Sequence, residues 1–189
     1  MKGFCLFVIS LIYTLSLACA QTNYYPHDSG VARGDSVVME YVTEFGERKV
    51  YNHDQRYVFV DRVRKDGQPM SQEVLFGKRP TFNGATIPIG QCYELVKAQL
   101  PEPLLEYLSQ EVSYHFTINI NMDSQTGGVV DVYYSFGSES RYVSIPPEVL
   151  GKIEKVLRDN LRFRMTDEGR ELNYCFFSWT INFHDNFLV

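Results

Sequence analysis

The sequence predicts an α+β protein built on an antiparallel sheet with flanking helices. Three observations lead there. Two runs between Ser113 and Phe136 alternate apolar with polar residues, the period of strands with one buried face. The segment after Pro146-Pro147 repeats apolar residues at helical spacing. The 189 residues are 44% hydrophobic, ample for a core without covalent staples.

Residues 1–20 read as a signal peptide. Lys2 is their only charge, and the apolar run from Phe4 to Leu17 is shorter than the roughly 20 residues that span a bilayer. It ends in Ala18-Cys19-Ala20, the small-residue pattern a signal peptidase accepts. Cleavage after Ala20 is expected, giving a periplasmic or secreted protein. The alternative is a lipid anchor at Cys19, although Ser16 stands where such anchors usually have Leu. Membrane attachment is expected only in that second case.

Residues 21–35, with Pro26, Gly30 and Gly34, read as a mobile lead-in. Residues 36–86 read as an N-terminal antiparallel β layer. Ser36–Phe45, Tyr57–Val63 and Met70–Phe76 are its strand-like runs, and Lys65-Asp66-Gly67-Gln68 is a turn. The Pro- and Gly-rich stretch Gly77–Gly90 marks the internal boundary.

Residues 87–189 carry the rest. Cys92, Leu95, Val96 and Gln99 share one helical face, and Leu104, Leu105, Leu108 and Val112 share another. Pro101 separates the two helices, and Pro103 fits the first turn of the second. Tyr114, Phe116, Ile118 and Ile120 then alternate inward, Gly127-Gly128 turns the chain, and Val130, Val132, Tyr134 and Phe136 return it as a hairpin. A helix follows with Val149, Leu150, Ile153, Val156, Leu157 and Leu161 on one face. Short and long strands, Arg162–Met165 and Leu172–Phe183, end the fold.

This order of helix, two strands, helix and two strands over Pro101–Phe183 resembles the C-terminal domain of TonB-like proteins, with SIPPEVLGKIEKVLRDNLRF as the most similar block. The whole chain also resembles a family of exported Bacteroides proteins of about 190 residues, a domain of unknown function. The TonB resemblance implies that the last strand pairs with an extended peptide of an envelope protein. The chain lacks TonB's uncleaved anchor and Pro-rich spacer, so only the scaffold and a binding use carry over.

A net charge of -5 excludes an electrostatic footprint for nucleic acid. The clusters Arg62, Arg64, Lys65 and Arg158, Arg162, Arg164 read as solvated faces. Catalytic motifs are absent. Gly137-Ser138-Glu139-Ser140 lacks the second Gly of a nucleophile elbow. Asp123 and Asp131 flank a hairpin as a carboxylate pair would, but a turn and a solvent-facing strand position account for them. His115 and His53 show no orienting partner, Arg33-Gly34-Asp35 reads as a turn, and no cofactor or metal is expected. Cys92 and Cys175 either pair in an oxidising compartment or remain buried thiols.

The aromatic excess, 13 Tyr, 13 Phe and one Trp, remains. On the last strand Tyr174, Phe176 and Thr180 face away from Cys175, Phe177 and Trp179, and Tyr133 raises the same question on the hairpin. Either the N-terminal layer covers these side chains or they form a platform. The expected function is an exported, non-enzymatic binding or envelope accessory protein offering a sheet edge or aromatic face to a protein or glycan. The alternatives are a secreted hydrolase whose carboxylates meet only on folding, and an accessory subunit without a ligand.

Overall fold

The computed structural model describes residues 22–184 except Arg56 and Phe76. The expected signal peptide and Cys19 lie outside the described residues. Six antiparallel strands form one sheet: β1 (Ser29–Arg33), β2 (Val38–Glu44), β3 (Glu47–Asn52), β5 (Phe116–Met122), β6 (Val129–Gly137) and β8 (Cys175–Ile181). Their spatial order is β1-β2-β3-β6-β5-β8. A two-stranded ribbon joins β4 (Phe82–Ala85) to β7 (Phe163–Met165). The helices are α1 (Gln72–Leu75), α2 (Ile89–Lys97), α3 (Glu102–Leu108), α4 (Pro147–Asn160) and α5 (Asp167–Arg170).

Alternation creates two unlike sheet faces. Met39, Tyr41, Val50, Phe116, Ile118, Ile120, Val132, Tyr134 and Trp179 are buried on the inner face. Against them α4 sets Val149, Leu150, Ile153 and Leu157, and α2 sets Cys92 and Val96. The Tyr134 hydroxyl donates to the Leu150 carbonyl at 2.7 Å, so a core ring also satisfies its polar end. Pro147 starts α4, and Pro103 sits second in the first turn of α3, positions where a missing N–H costs nothing. Gly127 closes the β5–β6 turn at φ 67°, where a Cβ would collide with the Phe163 carbonyl.

The α+β class and the C-terminal order are as expected, with α5 added before β8. Four details differ. The N-terminal strands do not form a separate layer; β3 pairs edge to edge with β6 and extends the same sheet. The lead-in is structured: Tyr25 is fully buried, its hydroxyl donates to the Ile145 carbonyl at 3.0 Å, and β1 forms the sheet edge. Residues 57–63 are no strand; they cross the sheet's outer face, where Tyr57 stacks on Tyr174 and Phe59 meets Tyr51. Residues 70–76 contain the single turn α1, where the Ser71 hydroxyl accepts from the Val74 N–H at 3.4 Å, as an N-cap does.

Candidate binding face

The outer face of the sheet carries a different chemistry. Cross-strand register places its side chains in rows running across the strands. One row holds Thr180 on β8, Thr117 on β5, Ser135 on β6 and Lys49 on β3. The next holds Ser178, Asn119, Tyr133 and Tyr51 in the same strand order. The third holds Phe176, Asn121 and Asp131.

These side chains are joined to one another. Asn119 donates its Nδ2 to Ser135 Oγ at 3.1 Å and accepts from Ser178 Oγ at 3.1 Å, spanning three strands. The Thr117 and Thr180 hydroxyls lie 3.3 Å apart. Tyr133 and Phe176 lie nearly parallel across β5, with centroids 6.4 Å apart. Lys49 Nζ sits 5.6 Å from the Tyr133 centroid and 5.2 Å from that of Phe59, whose ring meets Tyr51 edge-on. Ser178 is exposed, while Thr117, Tyr133, Ser135, Phe176 and Thr180 are half-buried, so this part of the face meets solvent. Burial pushes the Tyr133 phenol up to about 12, which keeps it neutral at any physiological pH. Asn121 is buried, and its Nδ2 has no hydrogen-bond partner.

Of the expected site residues, Tyr133, Phe176 and Thr180 come together here. Tyr174 does not join them. It is buried, its ring stacks on Tyr57 at 4.7 Å, and its hydroxyl donates to the Val60 carbonyl at 2.6 Å. The segment that failed to become a strand is the cover. Asn173 holds it further, accepting from the Val63 N–H at 3.1 Å and donating to the Asp61 carbonyl at 3.0 Å. The Asn119–Ser135–Ser178 network was missed in the sequence because the polar side of each strand reads simply as the wet side. Its signal was composition: the polar positions from Ser113 to Asn121 are Ser, His, Thr and Asn, without Lys or Glu.

The fold also gathers carboxylates, though not as Asp123 with Asp131. Asp131 is buried and does not face solvent. Its Oδ2 accepts from the Tyr57 N–H at 2.7 Å, and Arg158 Nη2 lies 3.9 Å from its Oδ1. The same guanidinium donates to Glu154 Oε1 at 2.9 and 2.6 Å. Burial raises the Glu154 carboxyl, outweighing the lowering by Arg158 and Asn52. Arg158 thus links both acids and ties α4 to the sheet. An open groove of about 490 Å³ adjoins this cluster, lined by Val37, Asn52, Glu148 and Lys155 among others. Asp123 instead caps its own turn, accepting from Thr126 and Gln125, and those bonds hold its carboxyl below the usual range.

The remaining candidates are engaged elsewhere. Cys92 and Cys175 are free, buried thiols in the structure, so no disulfide joins them. Cys175 Sγ donates to the Gly169 carbonyl, and burial pushes that thiol up to about 11. Ser140 is buried with its hydroxyl donating to the Gly137 carbonyl at 2.6 Å. His53 does have a partner: its Nδ1 lies 2.5 Å from Glu40 Oε1, a bond that raises the exposed imidazole. The Asp35 N–H donates to the Glu148 carboxylate, anchoring the Arg33-Gly34-Asp35 turn to α4. No group of three His, Cys, Asp or Glu among the described residues is placed to hold a metal. No described helix is long and apolar enough to cross a membrane.

Fold and face together define an antiparallel α+β protein whose sheet is covered by helices on one side and open on part of the other. The chain belongs to the family designated Domain of unknown function (DUF5043), whose profile matches residues 38–179. The fold is similar to the crystal structure of a DUF5043 family protein from Bacteroides uniformis, with a TM-score of 0.72 and 18% identity. That match covers 86% of this chain and 89% of the other. None of the curated proteins matches the chain.

Proposed function

We propose that this chain is an exported, non-enzymatic binding protein of the cell envelope, and that the open face over β5, β6 and β8 is its binding surface. The observation that carries this reading is the exposure of Ser178 amid half-buried Phe176, Thr180 and Tyr133 on a sheet whose other face is filled by helices. The signal-peptide pattern of residues 1–20 supports the exported location. A hydrolase is the weaker reading. The Asp131–Glu154 pair has Arg158 bonded to one acid and beside the other, so it is satisfied internally as a structural clamp is.

A second reading has its own support. Among the described residues β8 pairs only with β5, and it carries no charge or Pro along Cys175–Ile181, the devices that usually blunt an edge. Such an edge accepts an added strand, as the TonB-like order of elements would imply.

The test places a photoreactive residue at Ser178 and at Thr180 in the native cell. Envelope adducts at either position support the binding reading, and adducts with a polypeptide favour strand addition. Absence of adducts at both positions overturns the surface assignment.

A further inference from the structure

The groove beside Arg158 is not lined by Ser178, Phe176 or Tyr133, and small-molecule sites are clefts that enclose most of their ligand. A ligand here must gain its affinity from many shallow contacts along an extended chain. The rows supply contacts at a regular interval, because neighbouring strands lie about 4.8 Å apart. That interval is close to the length of one pyranose unit. A sugar chain lying across the strands would therefore meet one side chain per residue.

The chemistry of the rows is that of a neutral sugar. Hydroxyls and an amide bridge three strands, and they both donate and accept. Beside them the nearly parallel rings of Tyr133 and Phe176 offer apolar surface to the C–H face of a pyranose. Charge is held at the border. The Asp131 carboxylate is taken up by the Tyr57 N–H and neighbours Arg158, and Lys49 sits over Tyr133 and Phe59. An anionic polymer would find no basic row here. A protein interface would place its apolar patch at the centre, while here the centre is the hydroxyls of Ser135 and Ser178, both bonded to the buried Asn119. Opposite Phe176 the buried Asn121 keeps an Nδ2 donor without a partner.

We infer that the outer face binds a neutral, extended polysaccharide lying across β8, β5 and β6, stacked on Phe176 and Tyr133 and hydrogen-bonded along the hydroxyls of Ser178, Thr180, Thr117 and Ser135. This rests on the reading of that face as the binding surface.

The experiment is native electrophoresis of the purified protein in gels containing laminarin, xyloglucan, glucomannan or mixed-linkage barley glucan, with polygalacturonate as the anionic control. Retardation in at least one neutral gel, and none in polygalacturonate, is expected. Phe176→Ala should weaken it about tenfold, as loss of one principal ring contact does. Ser178→Glu, at an exposed position that leaves the core untouched, should abolish it. Mobility unchanged in every neutral gel, or retardation indifferent to both substitutions, overturns the proposal. If Ser178 or Thr180 still captures a protein in the envelope, the face remains a binding surface and only its glycan assignment falls. If neither experiment gives binding, the surface assignment fails with it.

Discussion

Single residues in this protein carry opposite electrostatic signs, and pH separates them. Glu154 has its carboxyl raised by burial, so the native state holds a proton that the unfolded chain releases. Its contribution is therefore greatest below about pH 4.5, the ordinary glutamate range, and declines as pH rises toward the raised native value. Asp123 is lowered, mainly by the Thr126 N–H, so its contribution is present above the ordinary range and lost as pH falls through the native value. Urea unfolding from pH 3 to pH 8 should show this: Glu154→Gln flattens the decline of stability above about pH 4.5. Asp123→Ala destabilises at neutral pH, with the difference shrinking in acid. Phe45 offers a third test. It sits at φ 53° beside Gly46 in the β2–β3 turn, fully exposed. That conformation suits Asn and costs a bulky residue about 1 kcal/mol. Phe45→Asn should raise the unfolding free energy by about that amount, seen as a higher urea midpoint with an unchanged slope.

At the scale of elements, the failures of sequence reading concentrate where tertiary pairing overrules propensity. Residues 57–63 are Val-rich and read as a strand, yet they join no strand of the six-stranded sheet. They lie on the outer face at Tyr51 and Tyr174, a position that local pattern does not encode. The β5–β6 hairpin and α4 were legible because their periods are long and uninterrupted. The binding face was half legible: alternation placed Phe176, Thr180 and Tyr133 outward, but only register brings Asn119 between Ser135 and Ser178. Asn173 provides the test of the covering segment, since one side chain bonds both Val63 and Asp61. Asn173→Ala should cost about 1–3 kcal/mol. It should also speed hydrogen exchange at Val63 well before the β5 amides. Equal acceleration at both sites would mean that the segment does not open by itself.

For the whole molecule, the deciding question is whether the N-terminal strands are an appendage or part of the one core. Sequence placed a boundary at Gly77–Gly90, but β4 lies within that stretch and pairs with β7, and β3 pairs with β6 along five residue pairs across it. Tyr25 carries the argument further. It precedes every strand, yet it is buried against Tyr41 and Phe136, one ring from each side of that boundary, and bonds the Ile145 carbonyl ahead of α4. Removing the ring opens a cavity in the centre of the protein. Tyr25→Ala should then cost about 3–5 kcal/mol, a large share of the roughly 5–15 kcal/mol that holds a domain together. Tyr25→Phe keeps the ring and leaves the buried Ile145 carbonyl without its donor, so a cost of about 1–3 kcal/mol is expected. Both variants should unfold in a single transition by tryptophan fluorescence, which reports Trp179 on β8, and by far-UV circular dichroism, which reports all strands. A Tyr25→Ala protein that loses part of its strand signal while Trp179 keeps its native midpoint would show instead that β1–β3 fold as a separate unit.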